Sequence, residues 1–147
     1  MIWQVICSCG GKSDAYGTTS TMNSKNYIEE CLQKRILPLI RSHQAPVIFW
    51  PDLASCHYSR STLDWCNENE VFILPKNMNP PNCPAFRPIE QFWGIVKGKL
   101  LKNGGSAKDI KQMRQKWIKF AGEVTDDLVQ KMMGGINRKV RNFLRSD

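Results

Sequence analysis

The sequence predicts an α/β domain with a mixed sheet and a helical C-terminal part. Two short apolar runs, residues 46–50 and 71–74, each end at a proline and enclose a helical segment, which is the order of a β–α–β unit. Before them, residues 2–7 and 15–21 flank a turn cluster and predict a β-hairpin. After them, apolar residues recur at helical spacing through three segments. The predicted order is therefore β–β–α–β–α–β–loop–α–α–α.

The elements of the first half, residues 1–74, have recognisable boundaries. Ser24 is a candidate N-cap for an amphipathic helix, and Pro38 is expected to kink that helix. Ser59 or Ser61 can cap a second, shorter helix that runs through residue 66. Because the runs 46–50 and 71–74 are continuously apolar, we expect both strands to be buried, the first on both of its faces.

A Pro-rich loop, residues 75–87, separates these elements from helices predicted over residues 88–145. Pro88 suits the first turn of a helix, and an apolar stripe follows it at Ile89, Phe92, Trp93, Val96 and Leu100. Residues 106–109 resemble a capping-box start, and Thr125 opens the last helix, which Gly134 and Gly135 can break. At 147 residues, the chain fits one domain with one core.

Positive charge is concentrated in the second half of the chain. Residues 1–74 contain 6 Lys and Arg against 7 Asp and Glu, whereas residues 75–147 contain 15 against 6, a net charge of +9. Such a basic half favours binding to a polyanion such as DNA, because cationic side chains displace counterions from phosphates. A solvated basic surface is the alternative. The candidate phosphate contacts are Lys97, Lys99, Lys102, Arg138, Lys139 and Arg141.

The cysteines and the hydropathy exclude other classes of protein. The six cysteines are scattered without a paired C-x-x-C motif or a secretory leader, so we expect reduced thiols. No apolar stretch approaches the ~18–20 residues needed to span a bilayer. A nuclear or cytoplasmic protein is therefore expected.

Two acids stand at positions where a catalytic site could form. Asp52 follows the apolar run 46–50, and Glu90 lies in the first turn of the helix that Pro88 opens. In open α/β sheets, ligands collect at the carboxyl ends of the strands, so two carboxylates delivered there could bind a hard divalent cation. The alternative is structural: Asp52 as a turn former or helix N-cap, and Glu90 as an acid favoured by the helix dipole.

The residues around both acids resemble motifs of the mariner-type DDE transposases. Residues 47–57, Val-Ile-Phe-Trp-Pro-Asp-Leu-Ala-Ser-Cys-His, are similar to the strand and Asp-Asn-Ala-x-x-His motif of the second catalytic aspartate, with Leu53 in place of Asn. Residues 87–97, Arg-Pro-Ile-Glu-Gln-Phe-Trp-Gly-Ile-Val-Lys, are similar to the Asn-Pro-Ile-Glu-x-x-Trp-x-x-x-Lys block of the third acid, with Arg87 in place of Asn. Thirty-seven residues separate Asp52 from Glu90, a spacing that the family tolerates.

The resemblance implies an RNase H-like mixed sheet with flanking helices, and three acids that hold two Mg²⁺ or Mn²⁺ ions for DNA strand cleavage and transfer. One ion would activate the attacking hydroxyl and the other would stabilise the leaving oxygen. Asp52 and Glu90 would be metal ligands in this reaction. The resemblance also implies transposon ends and target DNA as partners, a possible homodimer and a nuclear location.

The first catalytic aspartate and its central strand have no counterpart in residues 1–147, which resemble only part of the DDE catalytic domain. Asp14 precedes Glu29 but matches the turn of the hairpin, so we do not expect it to be a ligand. Without the first strand, the neighbouring strands would expose unpaired backbone groups, and the domain is expected to be inactive. The alternative is a non-enzymatic DNA-binding or assembly module derived from a transposable element.

Overall fold

The computed structural model describes residues 1–81 and 86–136, and these residues form two compact units. One unit comprises residues 1–19 together with the described residues from 86 onward; the other comprises residues 20–81. The elements follow the predicted order. The assignment of the whole chain to one partial catalytic domain, with segments 1–74, 75–87 and 88–145, stays a prediction.

The first unit combines a short hairpin with three helices. Strands β1 (Ile2–Trp3) and β2 (Tyr16–Gly17) pair antiparallel, with Ile2 opposite Gly17. Its helices are α4 (Pro88–Lys99), α5 (Ile110–Gly122) and α6 (Asp126–Gly134), and a π-helical segment (Leu100–Gly104) follows α4. The predicted stripe of α4 is confirmed, because Phe92 and Val96 are fully buried in one core with residues of α5, α6 and the hairpin.

Buried polar contacts tie the hairpin of this unit to α5. The Trp117 indole Nε1 donates to Gln4 Oε1 at 2.7 Å, and the Gln4 amide donates in turn to the Ser13 carbonyl at 2.7 Å. The Arg114 guanidinium donates to the Ala15 carbonyl at 2.6 Å. Because the buried donors Trp117 Nε1 and Gln4 Nε2 each have an acceptor, these bonds fix the hairpin against α5.

Gly10, in the turn of the hairpin, lies close to Asp126 at the start of α6. Gly10 has φ +94°, and a Cβ atom there would lie 2.7 Å from the Cβ of Asp126. The Lys12 ammonium donates to the Asp126 carboxylate at 2.7 Å and to the Val124 carbonyl at 3.0 Å beside this approach. Both the left-handed backbone and the missing side chain are therefore needed for the turn to reach the start of α6.

The second unit is built around one long helix and a parallel strand pair. The helix runs without interruption through α1 (Ser24–Asn26), a π-helical segment (Tyr27–Ile36) and α2 (Leu37–Arg41). Strands β3 (Ile48–Phe49) and β4 (Phe72–Ile73) pair in parallel, with Ile48 opposite Phe72. A 3₁₀ turn (Ser55–Tyr58) and α3 (Arg60–Glu68) connect them, and a second 3₁₀ turn (Lys76–Met78) follows β4. The predicted β–α–β unit is confirmed.

Three local predictions at helix starts need revision or refinement. Asn23, not Ser24, caps the first helix, because Asn23 has the extended backbone of an N-cap and its Oδ1 accepts the Asn26 N–H at 2.8 Å. Pro38 is the second residue of α2 and lies inside the continuous helix, where proline supplies no N–H for an intrahelical bond; the expected kink stays a prediction. The helix after residue 106 begins at its last candidate cap, Asp109, whose Oδ1 accepts the Gln112 N–H at 2.7 Å. Ser59 and Thr125 cap their helices as predicted.

The expected burial of β3 and β4 is wrong for one of their faces. Phe49 is buried, but its neighbour Ile48 is 68% exposed, and Phe72 opposite Ile48 is 62% exposed. Successive side chains of a strand point to opposite faces, so the long helix and α3 can cover only one side of so short a ladder. The ladders are also shorter than the apolar runs that predicted them, and β1–β2 and β3–β4 form separate sheets among the described residues.

Candidate metal-binding residues and nucleic-acid contacts

Asp52 lies just beyond the carboxyl end of β3, as the sequence predicts. Phe49 ends the strand, Pro51 is buried, and the Asp52 side chain is 59% exposed. The Ala54 N–H donates to Asp52 Oδ1 at 2.8 Å, a local turn bond that aspartate makes readily. Asp52 is therefore a turn former, and its carboxylate is also accessible to a cation.

The buried side chain of Asn79 holds the backbone that precedes Asp52. Its Nδ2 donates to the Pro51 carbonyl at 2.9 Å and to the Tyr58 hydroxyl at 2.7 Å, and its Oδ1 accepts the Trp50 indole N–H at 2.9 Å. The Tyr58 hydroxyl donates in turn to the Leu74 carbonyl at 3.1 Å. Sequence reasoning missed Asn79, because the composition of residues 75–87 predicts only an irregular connection and does not say which asparagine turns inward.

The side chain of His57 contacts Asp52. Its Nδ1 is 2.8 Å from Asp52 Oδ1 and 3.2 Å from the Asp52 carbonyl oxygen. The imidazole is buried against the Tyr27 ring, with 4.5 Å between ring centroids and 39° between the ring planes. Burial raises the pKa of the Tyr27 hydroxyl well above its ordinary value, so the ring that contacts the imidazole is uncharged.

Glu90 occupies the first turn of α4, which Pro88 opens as predicted. The Glu90 side chain is exposed, and within residues 1–81 and 86–136 its carboxylate makes no hydrogen bond or ion pair. A carboxylate at a helix N-terminus is stabilised by the helix dipole. The position therefore suits both the structural alternative and a role as a metal ligand.

The chemistry of these side chains fits Mg²⁺ or Mn²⁺. Both ions prefer oxygen ligands, and Asp52 and Glu90 each offer an exposed carboxylate. Asp14 does not compete as a ligand, because its carboxylate pairs with the Arg114 guanidinium at 2.6 Å. The expectation that Asp14 belongs to the hairpin agrees with this ion pair.

The candidate phosphate contacts on α4 and on the π-helical segment after it differ in their surroundings. Lys97 is exposed and its ammonium lies 5.7 Å from the centre of the Trp93 ring, a cation–π distance. Lys102 is also exposed. Lys99 pairs with Glu123 at 2.7 Å, so part of its charge is already compensated. Arg138, Lys139 and Arg141 lie outside the described residues.

The structure describes five of the six cysteines, and these five form no disulfide with one another. Cys9 is exposed, whereas Cys7, Cys31, Cys56 and Cys66 are buried. Burial raises the pKa of Cys31 to about 12 and that of Cys66 to about 11, and it raises the pKa of Cys56 as well. These thiols are therefore protonated and unreactive at neutral pH.

The buried thiols predict a loss of stability in alkali. The ordinary pKa of a thiol is 9.0, so above pH 9 the unfolded chain releases protons that folded Cys31 and Cys66 retain. The stabilisation is complete below pH 9 and disappears as the pH rises towards 11–12, at roughly 1.4 kcal/mol per pH unit for each thiol. Urea unfolding at pH 7.5, 9 and 10 measures this slope.

Substitution of these cysteines supplies the control for the alkaline slope. Cys66→Ala should flatten the decline, whereas Cys9→Ala, at an exposed position, should leave it unchanged. Equal slopes in the two variants would contradict the assignment of the slope to buried thiols.

Comparison with known proteins places the fold in a defined class. No protein-family model matches the sequence, and no curated protein sequence matches it. Solved structures do match, and the likeness is one of fold. The predicted α/β class is confirmed, whereas the RNase H-like sheet without its first central strand stays a prediction.

The matching structures are of the Mos1 mariner transposase catalytic domain. One crystal structure of that domain superimposes with a TM-score of 0.65 at 15% sequence identity, covering 92% of this chain and 74% of the other. Its complex with raltegravir and Mg gives 0.64 at 16% identity, covering 92% and 75%. The complex with raltegravir and Mn gives 0.60 at 18% identity, covering 92% and 74%. The chain therefore has the fold of a mariner-type transposase catalytic domain.

The helices also bear on whether the chain could cross a membrane. Among the described residues, none of the helices combines the length and the apolar character needed to cross a membrane.

Proposed function

We propose that this chain is a transposase-derived DDE endonuclease domain in which Asp52 and Glu90 are each metal-ligand residues. The observation that carries the proposal is the coincidence of motif and fold. Both acids that match the family motifs are exposed. Asp52 follows β3, and Glu90 lies in the first turn of α4. The fold is that of a mariner transposase catalytic domain, which has been solved with Mg and with Mn.

The metal, when bound, would supply Lewis-acid stabilisation of a phosphodiester. The role of the chain is to present oxygen ligands and to attract DNA. Asp52 would bind through its carboxylate, and the adjacent Pro51 backbone is fixed by Asn79. Lys97 and Lys102 would contact backbone phosphates, which positions DNA without reading its sequence. Arg138, Lys139 and Arg141 complete the proposed basic set, and Lys99 would contribute less because it pairs with Glu123.

We further propose that residues 1–147 do not cleave DNA on their own. The family reaction uses three acids, and only Asp52 and Glu90 of this sequence match them. A site with an incomplete ligand set cannot hold two ions in register, and small errors of position cost orders of magnitude in rate. The nuclear location and the homodimer that the family resemblance implies belong to the same proposal.

The metal site is tested by Mn²⁺ titration followed by electron paramagnetic resonance. We expect Asp52→Asn and Glu90→Gln each to weaken Mn²⁺ binding at least about tenfold, equivalent to about 1.4 kcal/mol. Asp64→Asn and Asp127→Asn are matched controls, since both remove an exposed acid from the same unit as the residue they control for. Equal Mn²⁺ affinity in all five proteins would contradict the assignment.

DNA binding and cleavage are separated by two assays on the same variants. Binding to a plain duplex should weaken steeply between 50 and 200 mM salt. Supercoiled plasmid with Mn²⁺ should remain uncut. Nicking that Asp52→Asn and Glu90→Gln abolish would instead establish an active nuclease. Metal-independent, salt-sensitive DNA binding would favour the alternative, a non-enzymatic module, for which the +9 charge of residues 75–147 is the supporting observation.

A further inference from the structure

We propose that His57 is a positioning residue for Asp52, fixing the orientation in which the carboxylate meets a metal ion. The inference rests on the proposed function of Asp52 and adds a residue that acts through it. It depends only on residues of the second unit, 20–81.

The hydrogen-bond geometry defines the direction of this interaction. His57 Nδ1 lies 2.8 Å from Asp52 Oδ1 and 3.2 Å from the Asp52 carbonyl oxygen; both oxygens can only accept, so the hydrogen lies on Nδ1 and is shared between them. The Ala54 N–H donates to Oδ1 at 2.8 Å. Two donors, one from a ring and one from the backbone, therefore converge on Oδ1. A carboxylate has about four lone-pair sites, so this arrangement is compatible with metal coordination through the carboxylate.

The two partners differ in exposure, because the donor His57 is buried and the acceptor Asp52 is exposed. We infer that the buried histidine restrains the exposed carboxylate. The Asp52 side chain is 59% exposed, whereas that of His57 is 9% exposed. The imidazole packs on Tyr27, which is fully buried in the long helix. His57 also sits in the 3₁₀ turn Ser55–Tyr58, whose backbone closes through the His57 N–H to the Ala54 carbonyl at 3.0 Å. The donor is thus rigid, and it restrains an acid that would otherwise exchange rotamers in solvent.

A fixed carboxylate binds a cation more tightly than a mobile one. The free site then already has the bound conformation, so less conformational entropy is lost on binding. Hydrogen-bond partners of metal ligands contribute about tenfold to hundredfold in affinity where this has been measured. A histidine that only completes the start of a turn would affect stability and leave Mn²⁺ affinity unchanged.

Amide substitutions distinguish these two roles. In His57→Asn, the side-chain NH₂ can occupy the place of Nδ1 and donate to Asp52, whereas in His57→Gln the amide is one bond further away. We expect Mn²⁺ affinity to fall about tenfold in His57→Ala and His57→Gln. His57→Asn should keep it within about twofold of the unchanged protein. Asn67→Ala, which removes an exposed side chain of the same unit, is the control and should have no effect.

Mn²⁺ titration by electron paramagnetic resonance and urea unfolding are measured on every variant. Since the Asn and Gln variants are both polar amides, their difference remains informative if His57→Ala does not fold. Equal Mn²⁺ affinity of His57→Asn and His57→Gln would overturn the positioning role, provided that Asp52→Asn weakens binding. If Asp52→Asn itself has no effect, the metal site fails, and the role of His57 fails with it.

Discussion

The substitution Phe92→Ala is expected to lower the free energy of unfolding by about 3–5 kcal/mol. Phe92 is fully buried in the core of the first unit, among residues of α5, α6 and the hairpin. Removing the ring loses its transfer free energy and leaves a cavity that the packed helices can only partly close. Because domains are stable by only about 5–15 kcal/mol, this change should bring the protein close to unfolding at 37 °C.

Urea unfolding followed by tryptophan fluorescence measures the effect of Phe92→Ala. Phe92→Leu should cost less, since it retains part of the apolar volume. Gln91→Ala is the matched control, because Gln91 is the exposed neighbour on the same helix and its loss should change stability by less than about 0.5 kcal/mol. A Phe92→Ala protein as stable as Gln91→Ala would show that α4 does not pack as described. Glu90 would then lack a rigid support.

The substitution Asn79→Ala should have the second largest effect, roughly 2–4 kcal/mol. Asn79 is 3% exposed and bonds to the Trp50 indole, the Pro51 carbonyl and the Tyr58 hydroxyl. Removing it leaves several polar groups without their partner at once, and each such group costs about 1–3 kcal/mol unless water replaces the bond. Since Pro51 precedes Asp52, the same change should loosen the backbone that carries the proposed metal ligand.

Two measurements on Asn79→Ala separate stability from function. Urea unfolding should show the loss of stability, and Mn²⁺ titration of the folded protein should show weaker binding. Asn77→Ala is the control, since Asn77 is an exposed asparagine of the same loop. If the two variants unfold at the same urea concentration, the hydrogen-bond network around Asn79 contributes nothing to the fold.

The helices were the most predictable part of the fold. Thr125 and Ser59 could be recognised as caps because an N-cap bonds to an N–H within its own first turn. The stripe of α4 could be recognised because its members repeat along a single segment. The error at Ser24 arose from the same local chemistry, since Asn23 is an equally good cap one residue earlier.

The strands were less predictable, because what covers a strand is decided elsewhere in the chain. An apolar run such as 46–50 indicates a strand but does not say how many residues pair or which faces are covered. Ile48 and Phe72 are exposed because each strand of this ladder contributes only two residues and is covered on one side. No spacing within either run carries that information.

For this protein, the sequence by itself determined the order of the elements, the helix starts at Ser59 and Thr125, and the two motif acids, Asp52 and Glu90. All of these depend on residues close together in the chain. Only the tertiary structure decided which side chains surround Asp52. Asn79 reaches the Pro51 carbonyl across 28 residues, and Tyr27 supports His57 from another helix. Such partners meet only when the chain folds, because burial and hydrogen bonding between distant residues leave no periodic signal in the sequence.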